Sequence, residues 1–140
     1  MIVQGQCTIF KQNCLSALEN FAVGPPSPYK IALYTASANL DETTLAYTSV
    51  GEVVGTGYTA TGKVLTVSQV PTLSGVTAYV SFSNVTWTPA SFTTRGALIY
   101  NSTTGAAVAV LNFGADKTPT TSFTITFPTA DAQDAIIRFS

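Results

Sequence analysis

Two runs in this chain, Ala97–Tyr100 and Ala106–Leu111, are apolar at both parities: Leu98 and Tyr100 alternate with Ala97 and Ile99, and Val108 and Val110 with Ala109 and Leu111. A strand with one wet face alternates apolar and polar residues, so runs apolar at every position predict strands covered by protein on both faces. Asn101-Ser102-Thr103-Thr104-Gly105 lies between them, a cluster of turn formers with Gly available for positive φ. The stretch from Arg95 to Phe113 therefore predicts a central hairpin onto which the other strands pack, with Phe113 in its core.

Towards the N-terminus, Phe10, Cys14, Ala17, Leu18 and Phe21 fall at spacings of three and four. They predict one amphipathic helix over residues 8–21, capped by Thr8, with Lys11, Asn13 and Glu19 turned from the apolar stripe and the helix laid across a sheet face. Gly24-Pro25-Pro26-Ser27-Pro28 ends it and forces an extended crossover. Tyr29–Thr35 then alternates as a strand, and the polar stretch Ser37–Thr48 predicts one short helical turn capped by Asn39 or Asp41. A hairpin is expected from Val64–Val70 and Val76–Phe82, connected by Pro71–Gly75, with Val80, Phe82, Val85 and Trp87 carrying the apolar face. Gly114–Pro119 reads as a turn. Phe123, Ile125 and Phe127 alternate with hydroxyl residues, and Ala135–Phe139 is a last strand. Strands every ten to fifteen residues with short turns predict one domain over 1–140. It is mainly β, an antiparallel β-sandwich or closed β-barrel (28–140) with one N-terminal helix (8–21).

Composition narrows what such a domain does. Only 9% of residues are charged, against a typical ~25%, so the surface is hydroxyl-rich, an expectation for a protein that works in contact with other protein. Six basic and seven acidic residues, without a basic cluster, offer no footprint for nucleic acid or an anionic membrane. The longest apolar run, Ala106–Leu111, is far short of the ~20 residues of a membrane span. Residues 1–6 lack the pattern of a signal peptide, so synthesis in a cytoplasm is the expectation.

Candidate chemistry is sparse. The absence of His removes the commonest general base and metal ligand, and no cofactor, metal or catalytic residue is expected. Cys7 and Cys14, about 10 Å apart along the predicted helix, are expected to be free thiols. Gly57 to Lys63 matches the start of a phosphate-binding loop, but Val64 stands where a magnesium-binding hydroxyl is needed and a strand follows where the motif needs a helix. Asp41-Glu42 and Asp131/Asp134 read as solvated charges rather than a calcium corner or a catalytic pair. Arg95 is expected to pair with Glu52 or Asp116. Asn84-Val85-Thr86 and Asn101-Ser102-Thr103 are chance matches to glycosylation acceptors in a Thr-rich chain.

Four segments together, Tyr29–Thr35, Gly51–Tyr58, Arg95–Asn101 and Val108–Gly114, resemble small virion proteins of tailed double-stranded DNA bacteriophages. The resemblance spans most of the chain from Lys11 onward and carries no active-site motif. It implies a virion structural protein. The leading expectation is a capsid decoration (cement) protein binding the major capsid protein as a homo-oligomer, through Phe10, Leu18, Phe21 and Tyr58. The alternatives are a tail or fibre-attachment component contacting other tail proteins, or a carbohydrate-binding module using Trp87, Tyr58 or Tyr79.

Overall fold

The computed structural model describes residues 1–140. In chain order the elements are β1 (Gly5–Gln6), α1 (Thr8–Leu15), β2 (Tyr29–Tyr34), β3 (Lys63–Val64), β4 (Val67–Ser74) and β5 (Thr77–Phe82). They are followed by β6 (Val85–Trp87), β7 (Thr94–Asn101), β8 (Ala107–Lys117), β9 (Phe123–Ile125) and β10 (Ile137–Phe139). All ladders are antiparallel, in sheets ordered β1-β8-β7-β2-β3, β10-β5-β4 and β6-β9. The sheets are open and pack as a sandwich, which settles the choice between sandwich and barrel.

The predicted hairpin is the centre of the large sheet. Every residue of β7 except Arg95 is buried, as is β8 from Ala107 to Leu111. Gly105 closes the turn at φ +80°, its N–H donating to the Asn101 carbonyl at 2.7 Å. One face of the sheet carries Tyr29, Ile31, Leu33 and Ile99 and meets the second sheet, where the Tyr29 and Phe82 rings lie 6.4 Å apart. The other face carries Ala32, Tyr34, Leu98 and Tyr100 and is covered by irregular chain: Ile2 packs over Gly96, and Tyr47 stacks on Tyr100 at 5.0 Å. Val80, Phe82, Val85 and Trp87 are all buried, as their alternation predicts.

Several expectations need correction. The helix ends at Leu15, not at residue 21, because Ala17 takes the left-handed conformation at φ +57°. The Leu18 N–H then reaches the Asn13 carbonyl at 2.8 Å and the Ala17 N–H the Cys14 carbonyl at 3.2 Å, the double bond of a Schellman stop. Cys7, not Thr8, occupies the N-cap, and it makes no side-chain cap bond. So short a helix reaches the sheets only at β8 and, through Phe10, at Phe139 of β10, and irregular chain covers most of the face of the large sheet turned from the second sheet. Residues 37–48 contain no helical turn: Asp41 organises a β-turn, accepting from the Thr43 N–H at 2.8 Å and the Thr43 hydroxyl at 2.6 Å, with the Thr44 N–H on its carbonyl.

Pro71 lies inside β4 rather than in a connection. It is tolerated because β4 is an edge strand whose ladder slips register between Gln69 and Thr72. The true turn is the two-residue Gly75-Val76, with Gly75 at φ +59°. Gly114 likewise lies within β8, at φ +80°, where residues 113–116 bulge opposite Arg95. Phe113 falls in that bulge and is only half-buried, packing edge-on against Phe123 at 5.7 Å.

Two substitutions test these placements. Ala17→Gly is expected to raise stability by about 0.5–1 kcal/mol, since the left-handed conformation costs a Cβ-bearing residue more than glycine; the readout is the urea midpoint at constant m-value. Phe113→Ala is expected to cost about 1–2 kcal/mol, below the ~3–5 kcal/mol expected of Phe82→Ala in the closed core.

Candidate functional site

The most structured polar site is built on Glu52, which enters the core beside the end of β2. Glu52 bridges to Tyr34, the Val53 N–H bonds the Leu33 carbonyl at 3.0 Å, and the carboxylate is thereby carried into the interior. No cation accompanies it, for the ion pair of this chain is Arg95 with Asp116 at 2.9 Å. Hydrogen bonds hold it instead. Oε1 accepts from the Tyr58 hydroxyl at 2.6 Å and the Thr61 N–H at 2.8 Å, and Oε2 accepts from the Tyr47 hydroxyl at 2.5 Å. Three converging donors replace the hydration that burial removes.

Thr61 shows what this achieves. It is β-branched yet lies at φ +79°, a conformation such residues avoid. Its N–H is taken by Glu52, its carbonyl by the Tyr100 hydroxyl at 2.7 Å, and its hydroxyl by Lys30 Nζ at 3.0 Å. Tyr58 also accepts the Leu33 N–H at 3.0 Å, satisfying a strand donor. Burial, then the bond to Glu52, pushes the Tyr47 phenol from 10.0 to about 12. The same causes raise Tyr58 further, and burial raises Tyr34 and Tyr100. These phenols therefore stay protonated as donors, and the site is a clamp holding residues 51–62 to the sheet.

The glycine spacing that begins like a phosphate loop serves the same packing. A Cβ on Gly57 would stand 1.7 Å from the Pro89 carbonyl oxygen, and one on Gly62 1.8 Å from that of Ile31. Lys63 donates to the Thr86 carbonyl at 2.5 Å and lies 5.6 Å from the Trp87 ring centre.

A second carboxylate, Glu19, sits at the opposite end of β2. Its Oε2 accepts from the Tyr29 hydroxyl at 2.7 Å and Asn101 Nδ2 at 3.2 Å, while Oε1 is buried without a partner. Asn101 thus faces inward, and its match to a glycosylation acceptor is occupied by structure. Cys7 and Cys14 are both free, and burial pushes each thiol up to about 11. Asp131 caps a turn, accepting from the Gln133 and Asp134 N–H groups at 3.0 and 2.7 Å. No three Cys, Asp or Glu side chains converge as metal ligands.

The residues expected to meet a partner separate. Phe10 and Phe21 are buried against each other, with ring centres 5.9 Å apart, so both are spent on the fold. Tyr58 is half-buried with its hydroxyl bound, and Leu18 is 60% exposed. Trp87 is 1% exposed, between Tyr58 and Phe123, and offers no stacking platform for a sugar. The accessible apolar feature is instead a groove of about 530 Å³ between the turn at residues 21–27 and Val64, Thr66, Val67 and Val70. Its strand side belongs to the stretch 64–94, which contains no Asp, Glu, Lys or Arg. Sequence reasoning passed over Glu19, Tyr47 and the carboxylate role of Glu52. The one available signal was a Glu among glycines and valines, Gly51-Glu52-Val53-Val54, a poor place for a solvated charge.

Two outcomes are expected for the clamp. Tyr58→Phe should cost about 2 kcal/mol, because it strands the Leu33 N–H as well as removing a Glu52 donor, whereas Tyr47→Phe should cost about 1 kcal/mol. The raised Tyr47 phenol means that the folded state binds its proton more tightly than the unfolded chain. Its contribution is therefore complete below pH 10.0 and is lost as pH rises through about 12. Denaturant midpoints falling above pH 10, together with phenolate absorbance at 295 nm rising as the chain unfolds, would show it.

Compared with protein families, with curated proteins and with solved structures, the chain matches none of them.

Proposed function

We propose that this chain is a structural protein of a tailed-bacteriophage particle, a decoration (cement) protein that braces the major capsid lattice through protein–protein contacts. Its polar chemistry is spent internally, on Glu52, Glu19 and their tyrosines, and the proposal assigns it no cofactor and no catalytic residue. The observation that carries the proposal is the charge-free apolar groove at Val23, Val64, Val67 and Val70. A surface without ionic groups suits another protein better than nucleic acid or an anionic membrane. Contacts of this kind are individually weak and gain strength by repetition over a lattice. The likeness of four segments to phage virion proteins points the same way.

Immunogold labelling of purified virions tests the location. Gold over the head is the expected result; gold confined to the tail would replace the decoration role by a tail or fibre-attachment role, and unlabelled particles would overturn the virion assignment. For the groove, Val23→Asp is expected to lower the copies retained per particle at least fivefold while leaving the melting temperature of the isolated protein unchanged. Full retention would place the lattice contact elsewhere.

A further inference from the structure

The smaller β10-β5-β4 sheet is longer than the core it covers. Residues directly opposite in an antiparallel ladder share a face. Ile137 opposite Val80, with Phe82 on the same parity, defines the inner face, and all three are buried. Two positions further along, that face continues through Ala78 with Leu73 and Phe139 opposite it on either side. There the cover stops: Leu73 is 79% exposed and Phe139 42%. From Thr66 to Tyr79 no residue is buried, and the turn at the tip carries Val76 at 90% exposure. The overhang is concave as well as apolar, since Phe21, Pro71, Ala78, Ile137 and Phe139 line a shallow groove of about 80 Å³ on this side.

We propose that this overhanging inner face binds a second copy of the same chain, two β4–β5 hairpins crossing about a two-fold axis so that each sets Leu73 onto the partner's groove. Charge selects the occupant. The hairpin lies within the charge-free stretch 64–94, and the one charge on the three strands, Arg138, pairs with Tyr79 and so points to the opposite face. An uncharged patch meets its own image without repulsion, the condition a two-fold interface imposes, and has nothing to attract a charged partner. Backbone irregularity selects the mode. Pro71 and two register slips interrupt the free edge of β4, so a continuous added strand is excluded and contact through the face remains. Phe21 lines both this surface and the groove assigned to the lattice, but Leu73 and Val76 lie outside the latter, and the proposal does not depend on the virion assignment.

Sedimentation velocity of the isolated full-length protein across a hundredfold concentration range tests it. The wild type is expected to show a monomer–dimer equilibrium. Leu73→Lys is expected to weaken dimerisation at least tenfold with an unchanged melting temperature, and Val76→Lys serves if Leu73→Lys does not fold. Val54→Lys, an equally exposed valine in the clamped loop, should dimerise as the wild type does. A wild type that stays monomeric throughout, an open series of larger species, a dimer indifferent to the hairpin substitutions, or equal loss in Val54→Lys would each overturn the proposal. None of these outcomes bears on where the protein sits in a particle, so the two readings fail separately.

Discussion

The centre of the large sheet is buried on both faces, and that burial sets the terms for the rest of the chain. β2, β7 and the first half of β8 carry apolar side chains at nearly every position. Leaving either face open would expose several large residues, each worth about 1.5–3 kcal/mol when buried. One face is covered in the ordinary way by the second sheet. The other is covered by chain without regular structure, residues 1–3 and 35–50, and irregular backbone brings carbonyl and N–H groups that no ladder satisfies.

The tyrosines answer that problem. Tyr34 donates to the Thr48 carbonyl and Tyr100 to that of Thr61, while Tyr58 accepts the Leu33 N–H. Each phenol places its ring in the core and its hydroxyl on a stranded backbone group, a task that Phe cannot perform. Glu52 ties Tyr58, Tyr47 and a left-handed threonine into one network. Its burial without a cation is affordable because every donor around it points inward. The feature that most resembles an active site is therefore explained as the fastening of a cover, and the absence of His and of a metal-ligand cluster is compatible with that role.

Low charge acts at the outside as the tyrosines do inside. With few ions to spend, the chain leaves valines and leucines on its surface, and Val23, Val64, Val70, Leu73 and Val76 among them lie on the long hairpin and the groove at its base. The exposed Arg95–Asp116 pair adds little to stability, since such pairs contribute on the order of 0–1 kcal/mol. Stability rests on the core.

Much of the fold was legible in the order of residues. Apolar positions at both parities marked the central hairpin, alternation marked β9 and the buried set Val80, Phe82, Val85 and Trp87, and Asn101–Gly105 marked the turn, because these signals are local and period two is unambiguous over several residues. Where the sequence misled, the deciding partner lay far along the chain. Nothing near Ala17 announces a left-handed residue, since Ala ordinarily extends a helix. It is stopped there because Phe21 packs on Tyr29 and Phe10. Pro71 reads as a turn until β4 is known to be an edge, and Glu52 reads as one of two possible partners for Arg95 until Tyr47, Tyr58 and Thr61 are folded around it. Residue type and spacing determined which strands form and which faces are apolar. Only tertiary structure decided which face is left over, because coverage depends on which distant segments arrive and how far they reach.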